Sequence, residues 1–140
     1  KVGKGIYLYE EGSRKPIPDP EVLDIAAEQA KKLGVVQRQH SDAEILERCI
    51  FPLINEGAYI LEEGIAAKSS DIDVIYVYGY GFPVYRGGPM QYADEIGLDK
   101  VYEALCKYRD ELGEYGKMWF EPAPLLKKLA EQGKRFADFK

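Results

Sequence analysis

The segment that most restricts the fold begins at residue 41. Ser41-Asp42-Ala43-Glu44 is a helix-opening box, in which a serine oxygen and a glutamate three residues on satisfy orphan backbone donors reciprocally. Behind it Ile45, Leu46, Cys49, Ile50, Leu53, Ile54, Ala58 and Leu61 recur at the spacing of one helix face. The pattern predicts a helix running to about Ala66, nearly 40 Å long at about 1.5 Å per residue. Pro52 lies inside it and is expected to bend it, because its ring displaces the carbonyl four residues back. A chain of 140 residues is one domain's worth, long enough to bury roughly two-thirds of its unfolded surface.

Helical signals continue on both sides. Asp19 can cap a helix with Pro20 at its first position; Leu23, Ala26, Ala27, Ala30 and Leu33 share a face, and Gly34 stops it. Ser69-Ser70 opens a capped segment from Asp71 to about Tyr78. Gly79-Tyr80-Gly81-Phe82-Pro83 and Arg86-Gly87-Gly88-Pro89 then form a glycine-rich loop. Pro89 starts a short helix ending at Gly97, and Asp99 caps the next, with Val101, Leu105, Tyr108 and Leu112 on one face. Residues 122–132 supply a last helix before Gly133. At the other end, residues 1–9 read as extended, and Pro16, Pro18 and Pro20 favour a polyproline-like connector over residues 10–20. The fold expected is an all-α helical bundle, residues 21–140, behind an extended N-terminal leader and linker, residues 1–20. Such a leader looks cut from something longer.

Charge and composition exclude several classes. Nineteen Lys and Arg against 24 Asp and Glu give a net charge of −5, which argues against a nucleic-acid binder working by phosphate neutralisation. The apolar stretches fall well short of the roughly 20 residues of a membrane span, and no basic-then-apolar leader opens the chain. Cys49 and Cys106 lie inside helix-like segments and read as reduced, buried thiols of an intracellular protein. With His40, the single histidine, they show no paired zinc-ligand spacing. His40, just before the helix cap, reads as an exposed residue rather than a general base.

Three candidates for chemistry remain. Gly79-Tyr80-Gly81 lacks the third glycine and the preceding strand of a dinucleotide loop, so its glycines are better read as allowing a tight crossing. Arg86-Gly87-Gly88-Pro89 stands at a helix start, where free N–H groups beside an arginine could hold a phosphate or carboxylate; the competing reading is a structural turn in which Arg86 pairs with a nearby acid. Asp71 and Asp73 read as helix-start acids facing a favourable dipole, and Glu62 and Glu63 as a solvated helix end. Eleven tyrosines, crowded around the leader and the central loop, suit either a domain–domain interface or the wet edge of a core.

The order of these motifs carries a resemblance. Glu47-Arg48-Cys49-Ile50-Phe51-Pro52-Leu53-Ile54-Asn55-Glu56-Gly57 is followed by Ile60-Leu61-Glu62-Glu63-Gly64-Ile65-Ala66 and Asp71-Ile72-Asp73. Gly79-Tyr80-Gly81-Phe82-Pro83, Arg86-Gly87-Gly88-Pro89-Met90, Pro122-Ala123-Pro124-Leu125-Leu126 and Phe136-Ala137-Asp138-Phe139 complete the succession. Together they resemble the last helical domain of the multifunctional fatty-acid β-oxidation enzymes, in which enoyl-CoA hydratase is fused to 3-hydroxyacyl-CoA dehydrogenase. Gly3-Lys4-Gly5-Ile6-Tyr7-Leu8-Tyr9 resembles the tail that closes the preceding helical domain. The resemblance spans essentially the whole chain.

It implies a parent with a hydratase domain, an NAD-binding Rossmann domain and two related helical domains, the second packing on the first like subunits of a dimeric dehydrogenase. The catalytic His–Glu pair would lie in the Rossmann domain, so His40 does not take that role. The active helical copy carries Asn-Arg at the start of its long helix, with the Asn near the reacting carbonyl; Glu47-Arg48 stands there in this chain, and Asn55, two turns on, is not equivalent. The expectation is a copy without a catalytic or cofactor-binding residue, NAD belonging to the parent. Its partners would be the preceding helical and Rossmann domains, with acyl-CoA bound through the parent and a homodimer of the fragment possible in their place. Tyr80, Phe82, Arg86, Gly87, Gly88 and Pro89 form the candidate anion or domain-packing loop. The alternative is a free-standing helical module that binds acyl-CoA or docks on a separate dehydrogenase. The chain ends Asp138-Phe139-Lys140 rather than on the Ser-Lys-Leu peroxisomal address, which leans towards a bacterial cytoplasmic enzyme, with a peroxisomal location expected if the source is eukaryotic.

Overall fold

The structure, a computed structural model, describes residues 5–139. Gly3 and Lys4 of the leader motif lie outside the described residues. The chain divides into two compact units, Lys1–His40 and Ser41–Lys140.

The first unit holds two short strands, β1 (Tyr7–Leu8) and β2 (Ile17–Pro18), and one helix, α1 (Pro20–Lys32). The strands pair antiparallel, Tyr7 opposite Pro18 and Leu8 opposite Ile17. The proline connector is therefore not a free spacer; half of it folds back on the leader through a turn closed by the Ser13 N–H on the Glu10 carbonyl, 3.0 Å. Pro18 sits at an end of the pairing, where its missing N–H removes little. In α1 the Asp19 carboxylate caps the Glu21 N–H at 3.0 Å with Pro20 in the first turn, as the sequence predicts. None of the α1 apolar face is buried.

The second unit is a bundle built on α2 (Asp42–Glu62). Ser41 Oγ accepts the Glu44 N–H at 3.2 Å, and the Glu44 carboxylate pairs with the Arg48 guanidinium at 3.0 Å. The helix runs through Pro52 but stops four residues short of the predicted end. There the Gly64 N–H closes on the Leu61 carbonyl and the Ile65 N–H on the Ile60 carbonyl, with Gly64 at φ +71°, a left-handed turn that costs a glycine least. At 21 residues the helix is about 31 Å long.

Against it lie α3 (Ser69–Gly79), α4 (Pro89–Ile96), α5 (Leu98–Glu111), α6 (Gly113–Phe120) and α7 (Pro124–Glu131). Short 3-10 turns at Val84–Arg86 and Phe136–Asp138 follow α3 and α7. The core lies where α2, α4, α5 and α7 meet, and Ile54, Ala58, Met90, Val101, Leu105 and Leu126 are fully enclosed there. α5 begins at Leu98 behind Gly97, so Asp99 sits in its first turn rather than at its cap. α6, which no sequence signal marks, lies back along α5; a Cβ at Gly116 would overlap the Arg109 carbonyl, so the close crossing needs that glycine. Among the described residues no helix is long and apolar enough to cross a membrane.

Candidate functional site

The glycine loop joins α3 to α4, and its geometry is governed by Asp73. This residue projects from the middle of α3, is 8% exposed, and aims its carboxylate at the start of α4. Oδ1 accepts the Met90 N–H at 2.7 Å, and the Gln91 N–H lies 3.2–3.3 Å from the two oxygens. A Cβ at Gly88 would overlap that carboxylate, and Gly88 holds φ +114°. The N–H groups that could have met an external anion are thus engaged by an internal one. Asp73 serves the dipole of the next helix; Asp71 serves its own, accepting the Lys68 N–H at 3.0 Å. Burial raises the Asp73 pKa above the ordinary carboxylate value, against the lowering effect of the Met90 and Gln91 bonds.

Arg86, in the 3-10 turn, is exposed and stacks on two rings, its guanidinium carbon 5.4 Å from the centroids of both Tyr85 and Tyr92. Tyr80 is exposed and leans on Tyr76, rings 5.3 Å apart, while Phe82 is half-buried and donates its N–H to the Tyr76 carbonyl at 3.0 Å. A Cβ placed on Gly79 or Gly81 would meet no atom within 4 Å, so the tight approach belongs to Gly88 and not to them.

Glu47 lies on the second turn of α2, where its carboxylate accepts the hydroxyl of Tyr108 from α5. Tyr108 is fully buried, and burial first, then the bond to Glu47, pushes its hydroxyl pKa well up, keeping it a donor. Arg48 lies over that ring at 4.7 Å and reaches Glu111 at 3.8 Å, and the Lys107 ammonium lies over the ring at 5.1 Å. Glu47 therefore acts as a pin between α2 and α5. Beside it the apolar face of the first turns of α2 is uncovered: Ile45 and Leu46 are about half exposed and Cys49 is exposed, which overturns the reading of buried thiols. Cys106 is half-buried. Leu46 borders a cleft with Tyr92 and Ile96 of α4, whereas the Cys49 side of α2 adjoins α6, whose Tyr115, Met118 and Trp119 are exposed, and a groove of about 400 Å³ runs there over Cys49, Pro52, Leu112, Tyr115 and Trp119.

Asn55, which the sequence does not align with the catalytic Asn, is a buried clamp. Its Nδ2 donates to the Glu121 carbonyl at 2.7 Å, and its Oδ1 accepts the Ala123 N–H at 2.8 Å. Glu62, expected to be a solvated end, accepts the Leu125 N–H at the start of α7, 3.3 Å. Asp94 of α4, which nothing in the sequence singles out, accepts the Phe136 and Ala137 N–H groups at 2.7 and 3.1 Å. A lone acid in an amphipathic helix gives no signal of such a distant partner. His40 is exposed. Among the described residues no three His, Cys, Asp or Glu side chains are placed to share a metal ion.

The family model of the 3-hydroxyacyl-CoA dehydrogenase C-terminal domain matches residues 45–136, from the first turn of α2 to the last 3-10 turn. The chain belongs to that family. This dehydrogenase C-terminal domain is 45% identical, over 95% of its length, to the peroxisomal bifunctional enzymes of Danio rerio and of Homo sapiens. It is 37% identical, over 99% of its length, to a peroxisomal fatty acid beta-oxidation multifunctional protein of Arabidopsis thaliana. It spans only 18–19% of the length of these relatives. Dehydrogenases of this family use NAD; the described residues do not form the strand, glycine turn and helix of a Rossmann unit, since the sheet is one antiparallel pair of two-residue strands and the glycine loop follows a helix.

Proposed function

We propose that this domain is the second helical domain of a peroxisomal β-oxidation enzyme, and that it packs against and supports the dehydrogenase part without performing a chemical step. The parent would hydrate 2-enoyl-CoA and oxidise L-3-hydroxyacyl-CoA to 3-ketoacyl-CoA with NAD. The observation that carries the reading is that Glu47, which the resemblance sets at the position of an active copy's Asn, is engaged by the buried Tyr108. In the parent's oxidation the C3 hydroxyl would give its proton to a base as the C3 hydride leaves, so negative charge builds on that oxygen, and a neighbouring group helps only if it stabilises that charge. An ionised carboxylate does the opposite, and one held by a tyrosine on the neighbouring helix is not directed at a substrate. The bare α2–α6 face supports the packing role, since an uncovered apolar groove of this kind is what a domain partner covers.

The peroxisomal location follows the names of the relatives. The loop of Tyr80, Phe82, Arg86, Gly87, Gly88 and Pro89 is assigned to domain packing, because Asp73 already holds the donors an acyl-CoA phosphate would need. In this reading residues 1–20 are the tail and linker of the preceding domain and residues 21–140 the helical domain, whereas the compact units part at His40 and Ser41.

The test is to supply the isolated chain with L-3-hydroxybutyryl-CoA and NAD and follow absorbance of the reduced cofactor. No turnover is expected, and turnover overturns the reading. Calorimetry with acyl-CoA distinguishes the acyl-CoA-binding alternative: no heat is expected, whereas heat that vanishes in Arg86→Ala makes the loop a ligand site.

A further inference from the structure

We draw no further inference here: the strongest candidate, the cleft of about 550 Å³ between the first turn of α3, α4 and the C-terminal 3-10 turn, carries nothing, because its two carboxylates, Asp73 and Asp94, already accept backbone N–H groups of the fold and no other feature of it points to a ligand.

Discussion

Asp73 carries its charge where the second unit has little water to solvate it. Burial raises its pKa, and that of Asp94, above the ordinary carboxylate value, with backbone bonds opposing the shift in both. A carboxyl whose folded pKa is raised binds its proton more tightly folded than unfolded. Its favourable contribution is therefore full below the unfolded value and is lost as pH rises through the folded one. Replacing Asp73 by Asn keeps an acceptor for the Met90 N–H and removes the titration. Urea unfolding near pH 4 and near pH 7 should show Asp73→Asn gaining stability relative to the parent chain as pH rises. A relative loss over that interval would mean that the fold favours the ionised carboxylate and that burial does not govern its proton. Gly88→Ala tests the same contact from the other side. It meets the carboxylate and a left-handed φ together, and should cost at least about 2 kcal/mol, whereas Gly79→Ala should change stability by less than about 1 kcal/mol. Equal effects at the two sites would sink the assignment of the close approach to Gly88.

At the scale of elements, α2 is the spine, and its polar residues determine what stays attached to it. Asn55 makes two bonds to the extended segment before α7, so Asn55→Ala leaves the Ala123 N–H without its partner and the Glu121 carbonyl with the Tyr59 hydroxyl at 3.4 Å. A loss of about 2–3 kcal/mol is expected, with faster hydrogen exchange at the Ala123 amide than at amides within α5. Uniform acceleration would show that Asn55 supports the whole bundle rather than this attachment. The helix starts are largely legible in the sequence, because Asp19-Pro20, Ser41 and Pro89 impose local geometry that needs no tertiary partner. Ends are less so: Ile65 and Ala66 continue the apolar period of α2 past the glycine that stops it. α6 is hidden because its eight residues include Gly113 and Gly116, poor helix formers, and because its helix rests on α5 rather than on its own sequence. The Glu47–Tyr108 and Asp73–Met90 bonds join residues far apart in sequence, and no spacing rule reports such pairs. Nor can periodicity say which part of the α2 face is covered, since an apolar stripe looks the same buried or bare.

For the whole molecule, what matters is where the unfinished surface lies. Among the described residues every fully enclosed apolar side chain belongs to the second unit, yet Cys49, Tyr115, Met118 and Trp119 leave one side of that unit exposed. Contact by a partner there would remove apolar area worth about 25 cal/mol for each Å², while an aspartate in the groove would keep its charge in a drying interface at a cost of several kcal/mol. In the absence of a partner domain, a second copy offers the same surface, and an isologous pairing through it satisfies two-fold symmetry. Sedimentation of the isolated chain at increasing concentration should show a dimer, and Trp119→Asp should return it to a monomer with its unfolding midpoint little changed, because Trp119 is not part of the core. A chain that stays monomeric at the highest concentration would remove self-pairing. A dimer that persists in Trp119→Asp would move the contact elsewhere. Adding the Danio rerio relative without its matched segment, as a separate chain, should then dissolve the dimer in favour of a one-to-one complex, with the same Trp119→Asp substitution preventing it. If that complex forms equally well with the variant, the groove is not the face by which this domain supports its enzyme.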